Sequence, residues 1–266
     1  MNKLAIAVLT FFILVGCRND VYTVLEKQNV KGRHYVVVIG ASISEGAPHL
    51  HGRLHSNEVG AFDTNHRSSE GQLNYEFSRI FDIPFINHGI SGQTSTFVKK
   101  RWIRDVLGGD AVVEDGRGSK TIDFTSEPPL AVFLHVGRND VVSRNSIEIM
   151  KDNYRFFAQS SLENDMFLIV NNLGADSSFG PYEESIAKLF NEWLYNDFIT
   201  EFPSVLIIDY LGWSSDGTGI FTHTKKGMFA DNVHPNEQGV KDYVSFAEPT
   251  IREEFVRRGY IDSNEY

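Results

Sequence analysis

A serine, a histidine with a carboxylate three residues before it, and two groups suited to holding an oxyanion are spread over four short blocks of this chain. The blocks are Gly40-Ala41-Ser42-Ile43-Ser44-Glu45-Gly46, Asn87-His88-Gly89-Ile90-Ser91-Gly92, Gly137-Arg138-Asn139-Asp140 and Asp231-Asn232-Val233-His234-Pro235. Acyl transfer through a serine ester needs this inventory: a hydroxyl nucleophile, an imidazole to take its proton, a carboxylate to orient the imidazole, and N–H donors for the developing negative charge. Taken singly, each has an ordinary structural reading. Ser42 can cap a helix, Gly92 and Asn139 can be turn or cap residues, and Asp231 with His234 can be a local cap or a surface pair.

The elements that must position these groups shift that balance. Five runs have the continuous apolar character of strands buried on both faces of a parallel sheet: 35–39, 84–86, 131–136, 166–170 and 205–208. Helical segments lie between them. Gln72 to Phe81 carries Leu73, Phe77 and Ile80 on one face, Tyr182 to Phe198 carries Ile186, Leu189, Phe190, Trp193 and Leu194, and a last helix runs from Glu237 towards Arg258. This alternation predicts an α/β fold, a three-layer α/β/α sandwich with a five-stranded parallel sheet and right-handed crossovers. The stretch 108–129 breaks the rhythm and reads as a small hairpin. The stretch 210–232 is a long irregular loop leading into the histidine block.

In such a sheet, ligands gather at the carboxyl ends of the strands. Ser42, Gly92 and Asn139 each follow one of three consecutive runs, so all three fall on that edge. A helix starting at Ser42 directs backbone N–H groups, its own included, towards a developing charge. Glycine at 92 lets a backbone N–H approach a substrate, and the Asn139 amide is a neutral donor. Asp231 can hold one imidazole nitrogen of His234 and leave the other free for the serine proton.

In this order the four blocks resemble those of the SGNH hydrolases, also called GDSL esterases and lipases. The resemblance implies a flavodoxin-like SGNH fold, with Ser42 as nucleophile, Ser42, Gly92 and Asn139 as oxyanion hole, and Asp231 and His234 as acid and base. It implies an ester hydrolase with no metal or organic cofactor. One position departs from it: the family's Gly-Asp-Ser is here Gly40-Ala41-Ser42. Ser44 is a rival nucleophile, but Gly40-x-Ser42 with Gly46 favours Ser42. A Gly-x-Ser-x-Gly elbow around Ser44 would need glycine at 42. Arg138 can bind an anionic part of a substrate or pair with a surface carboxylate; the second reading is favoured.

His49, His51 and His55 lie close enough to suggest a metal, but no cysteine can join them, and a loop just after the nucleophile more naturally lines a pocket. Neither a Walker-type loop nor a Rossmann glycine pattern after the first strand is present. With a formal net charge of −10, the chain lacks the basic balance of a nucleic-acid binder. The charge runs Lys99-Lys100-Arg101 and Arg252-Glu253-Glu254 read as solvated helix faces.

The first 16 residues read as a lipoprotein signal peptide: Lys3, then an apolar run from Leu4 to Val15 that is too short to span a bilayer. Leu14-Val15-Gly16-Cys17 resembles the bacterial lipobox, which makes Cys17, the only cysteine, a lipid anchor, with 17–33 as tether and 34–266 as one hydrolase domain. The expected location is therefore the bacterial cell envelope, with the membrane as partner through Cys17. The expected substrates are acetylated glycans or lipid acyl esters. Trp213, Phe221 and Phe229 are candidates for an aromatic wall beside the substrate, or for plain packing. Two other functions fit the same residues: an acyltransferase with the same triad, and a non-catalytic glycan-binding envelope lipoprotein.

Overall fold

The computed structural model describes residues 35–46, 70–108, 110–114, 119–123 and 128–262. The signal peptide, Cys17, the tether and the His49, His51, His55 cluster lie outside them. Five parallel strands form the main sheet: β1 (Val36–Gly40), β2 (Phe85–Gly89), β5 (Ala131–His135), β6 (Phe167–Asn171) and β7 (Leu206–Ile208), in the order β2-β1-β5-β6-β7. Each expected run became a strand, with ends shifted by at most three residues. The largest shift is in β2, which continues through the polar Asn87 and His88 to Gly89. The stretch expected to be a hairpin holds β3 (Asp110–Glu114) and β4 (Ser119–Asp123), paired antiparallel.

Alternate side chains of each strand enter two cores, which explains why the strand sequences are apolar throughout rather than alternating. Val37, Ile39, Val132, Leu134, Leu168 and Val170 face one way. They meet helices α3 (Ser95–Trp102), α5 (Ile147–Glu163) and α6 (Pro181–Trp193) through Trp102, Tyr154, Phe157 and Phe190. Val36, Val38, Phe133, Phe167 and Ile169 face the other way, onto α2 (Leu73–Phe81) and α8 (Glu237–Arg257) through Phe77, Phe81, Val244 and Phe255. The fold is thus helices, sheet, helices, as the alternation predicted.

The helix expected over Tyr182–Phe198 is composite: α6 runs on into a wider π-helical turn at Leu194–Phe198. Pro181 occupies its first turn, where its missing N–H costs nothing. A similar π turn, Ile103–Leu107, extends α3. Two short helices follow strand ends directly, α1 (Ser42–Glu45) after β1 and α4 (Arg138–Val142) after β5. A third, α7 (Tyr210–Ser214), opens the stretch expected to be irregular.

In this strand order the connection from β1 leads to one neighbour, β2, while β5 lies on its other side. The crevice above β1 and β5 is the topological switch point, where open α/β sheets bind ligands. Gly40 matters there for close approach, since a Cβ on it would lie 2.1 Å from the His135 carbonyl oxygen. That oxygen accepts the Ala41 N–H at 3.2 Å, which closes the two strand ends against each other.

Candidate active site

Ser42 opens α1, but it does not cap it. Ala41 holds the N-cap position, with no side-chain cap bond, and the Ser42 hydroxyl is turned elsewhere. Its Oγ lies 2.8 Å from His234 Nε2. On the far side of the ring, His234 Nδ1 lies 2.8 Å from Asp231 Oδ2. The carboxylate requires a proton on Nδ1, which leaves Nε2 as the acceptor for the serine hydroxyl. Ser44 is fully buried and its Oγ has no hydrogen-bond partner among the described residues, His234 included, which removes it as a rival.

The histidine block is built locally. Asp231 Oδ1 accepts the N–H groups of Val233 at 2.9 Å and His234 at 2.8 Å, a turn that places Oδ2 on the ring. Burial alone would raise the Asp231 carboxyl. Hydrogen bonds from the His234 ring and from the backbone N–H groups of His234 and Val233 outweigh it and hold the group below the ordinary aspartate value. Ala230 N–H to His234 O at 2.8 Å and Asn236 N–H to Met228 O at 2.9 Å clamp the loop on both sides. Asn236 then caps α8 through Gly239 N–H at 2.8 Å. Ser177 joins this loop to the one after β6, its N–H donating to Asn232 O and its Oγ contacting Asn232 Oδ1.

Gly92 follows β2 with φ of 77°, a left-handed conformation that glycine adopts without strain. Among the described residues neither the Gly92 nor the Ser42 N–H has a protein acceptor. The Asn139 amide donates one hydrogen to Gln93 O at 2.9 Å, and its Oδ1 accepts Arg138 Nη1 at 3.4 Å, so the amide cannot flip and its second hydrogen is available. Asp140, buried, accepts Ser95 N–H and Ser95 Oγ, each at 2.7 Å, and so ties the start of α3 to α4. Burial pushes its carboxyl up, against those bonds. Glu45 joins the remaining pair of loops: its carboxylate accepts Ser91 N–H at 2.8 Å and also the Ser91 hydroxyl. The nucleophile turn, the Gly92 turn and the Asn139 turn are therefore stitched together by side chains.

Beside Ser42 is an open cleft whose apolar lining comes from Ala41, Ile43, Val136, Leu173, Ala175 and Val233, with Arg138 and Asn139 also on its wall. Buried His135 and Tyr210 also line it, their rings 4.5 Å apart. Burial depresses the His135 imidazole to about 3 and raises the Tyr210 phenol, so both are neutral near neutral pH.

Two expectations are corrected here. Arg138 pairs with a carboxylate, but with one that is buried rather than on the surface: Asp176, 1% exposed, reached by Nε at 2.7 Å and Nη2 at 2.6 Å. In the run Lys99-Lys100-Arg101, the last residue is not solvated, because it turns into the interior, where Gln93, Asp105 and a carbonyl receive it. The three loop aromatics resolve as packing. Phe229 packs at a tilt on Trp213 at the edge of the second core, and Phe221 packs on Phe179 in the first. Glu45, Gln93, Asp140 and Asp176 were missed as site residues. Asp140 and Gln93 stand next to Asn139 and Gly92, and Glu45 lies within the first block, which was the signal for all three; Asp176 carried none.

Several solved structures share this architecture. A protein assigned to the lipolytic G-D-S-L family from Desulfitobacterium hafniense superposes with a TM-score of 0.58 at 17% identity, covering 82% of this chain and 99% of that one. A protein assigned as an acylhydrolase from Bacteroides fragilis gives 0.57 at 17%, covering 83% and 87%. A GDSL-like lipase from Bacteroides thetaiotaomicron gives 0.57 at 18%, covering 89% and 96%. No protein-family model and no curated protein matches the chain. The fold is the one found in these GDSL-type lipolytic proteins.

Proposed function

We propose that this chain is a serine esterase that hydrolyses carboxylic esters through an acyl-enzyme on Ser42. The observation that carries the proposal is the continuous Asp231, His234, Ser42 relay, with both contacts at 2.8 Å. His234 Nε2 takes the hydroxyl proton as Ser42 Oγ bonds to the ester carbon. The carbonyl oxygen becomes an oxyanion facing the N–H groups of Ser42 and Gly92 and the second amide hydrogen of Asn139. Collapse breaks the bond to the alcohol, which leaves with the proton from His234. Water then adds to the acyl-enzyme by the same sequence, freeing the acid and returning the proton to Ser42.

The substrate we favour is a short acyl ester on an envelope glycan or lipid. The cleft's mostly apolar lining suits an acyl group, and buried His135 and Tyr210 form part of that lining. Arg138 lines the cleft as well, but its charge is already met by Asp176, which disfavours an anionic acid. Asp231 and Gly92 are exposed, which leaves the acyl-enzyme open to water and favours hydrolysis over transfer to another acceptor. The intact relay argues against a non-catalytic glycan binder. Nitrophenyl esters of two to eight carbons should all report on this reading, with kcat/KM falling at least about tenfold from four to eight carbons. A chain that turns over none of them, and is not labelled by a fluorophosphonate, would overturn it.

We propose further that the protein is held in the bacterial envelope by acyl chains on Cys17. The support is the sequence around that cysteine; among the described residues no helix is long and apolar enough to cross a membrane. Expressed in a bacterium that processes lipoproteins, the parent should sediment with membranes, and Cys17→Ala should appear in the soluble fraction. Equal partition of the two would refute the anchor.

A further inference from the structure

Arg101 is an unusual residue to find beneath this site. It is 3% exposed, on the face of α3 that also carries Val98 and Trp102. A buried cation left unpaired is strongly destabilising, and Asp105 answers that requirement, accepting Nη1 at 2.7 Å. Burial would raise the Asp105 carboxyl, but contacts with His88, Arg104 and Arg101 hold it far below its ordinary value, so the pair is ionised. Charge balance therefore needs only one edge of the guanidinium.

The other two contacts reach the two halves of the site. Nη2 donates to Gly40 O at 3.0 Å, two residues before Ser42. Nε donates to Gln93 Oε1 at 2.7 Å, and Gln93 directly follows Gly92. The backbone of the same glutamine supplies the carbonyl that holds the Asn139 amide at 2.9 Å. Gly40 O also accepts Ile90 N–H at 3.1 Å, so the loop after β2 and the loop after β1 meet at one carbonyl. Ala41 has no side-chain hydrogen bond to offer, so the strand end before Ser42 is braced through the Gly40 carbonyl, while Glu45 ties the far end of the turn to Ser91.

We propose that Arg101 is a positioning residue for acyl transfer, fixing the spacing between the Ser42 turn and the Gly92–Asn139 oxyanion loops through one rigid planar fork. The inference rests on the esterase reading above. A guanidinium can hold three acceptors at fixed angles in a plane, whereas a lysine ammonium on a flexible stem keeps the charge and loses the geometry. Oxyanion donors act by being pre-aimed, and a displacement of about 1 Å can cost a hundredfold in rate.

The test is a cycle on the full chain: Arg101→Lys, Asn139→Ala and the double variant, assayed with nitrophenyl acetate beside Ser42→Ala. Asn139→Ala should lower kcat by about 100-fold to 1,000-fold. Arg101→Lys should lower kcat by about 10-fold to 100-fold, with KM changed by less than about twofold. The double should fall no more than about threefold below Asn139→Ala, because the hole that Arg101 serves is already broken. Gln93→Met leaves the Arg101–Asp105 pair intact and keeps the question open to test if Arg101→Lys does not fold; it too should lower kcat at unchanged KM. Losses that multiply in the double, or an unchanged kcat in the folded single variants, would overturn the role of Arg101 alone. A parent with no Ser42-dependent turnover would instead sink the esterase reading, and this inference with it.

Discussion

Ser42→Ala is expected to lower kcat for nitrophenyl acetate by about 10,000-fold to 1,000,000-fold, and His234→Ala by a similar factor, with the double variant no worse than either. The reason is that the two side chains act as one unit. His234 Nε2 faces Ser42 Oγ at 2.8 Å, and once either partner is gone there is no proton transfer left for the other to assist. The substitution should leave folding intact. Ser42 caps nothing, sits in the first turn of a four-residue helix, and gives up only its hydroxyl. An unchanged thermal midpoint alongside the lost rate would separate chemistry from collapse. Ser44→Ala supplies the contrast, because its Oγ is buried without a partner and should move kcat by less than about threefold. A Ser42→Ala protein retaining a tenth of the parent rate would remove Ser42 as nucleophile.

The sequence alone made the strands and the two-faced core legible because strand length and continuous apolar character are local signals. It also placed Ser42, Gly92 and Asn139 at one sheet edge, because each follows an apolar run, but the choice of Ser42, Asp231 and His234 as a relay came from the resemblance of the four blocks to the SGNH hydrolases. What it hid was the polar support beneath. Arg101 stands in a run of three basic residues, and only the docking of α3 on the sheet decides that Lys100 faces out and Arg101 faces in. A periodicity argument gave a weak warning: Arg101 shares a face with Val98 and Trp102 and has Asp105 one turn on. Asp176 gave none, since its pairing with Arg138 joins loops after two different strands. The aromatic loop residues point to the same limit. Trp213 has its Nε1 on Asp242 of α8 at 2.8 Å, a contact 29 residues away in sequence that turned a possible substrate wall into an anchor for the loop.

Asp231→Asn is expected to lower kcat by about 1,000-fold to 10,000-fold, and to be at least as damaging as Asp231→Ala. The asymmetry follows from how the carboxylate is used. Oδ1 accepts two backbone N–H groups and Oδ2 accepts the ring. An asparagine keeps the backbone bonds only by placing its amide oxygen at the Oδ1 position, which puts an N–H donor against His234 Nδ1. The imidazole must then answer with a lone pair at Nδ1 and carry its proton on Nε2, where it can no longer take one from Ser42. Alanine leaves both tautomers open. If Asp231→Ala is clearly worse than Asp231→Asn, this account of tautomer control is wrong. The pH profile offers a second check. The hydrogen bonds to Asp231 outweigh its burial and hold its carboxyl below the ordinary aspartate value, so the ionised form, and whatever activity depends on it, is present above that value and is lost only as pH falls through the lowered one. A kcat/KM profile of the parent should therefore show no Asp231-dependent limb near pH 4, about where a free aspartate titrates. Since the side chain is 47% exposed, solvent screens the pair, and the thermal midpoint should barely change on substitution. A large loss of stability with little loss of rate would mean that Asp231 holds the loop rather than the imidazole.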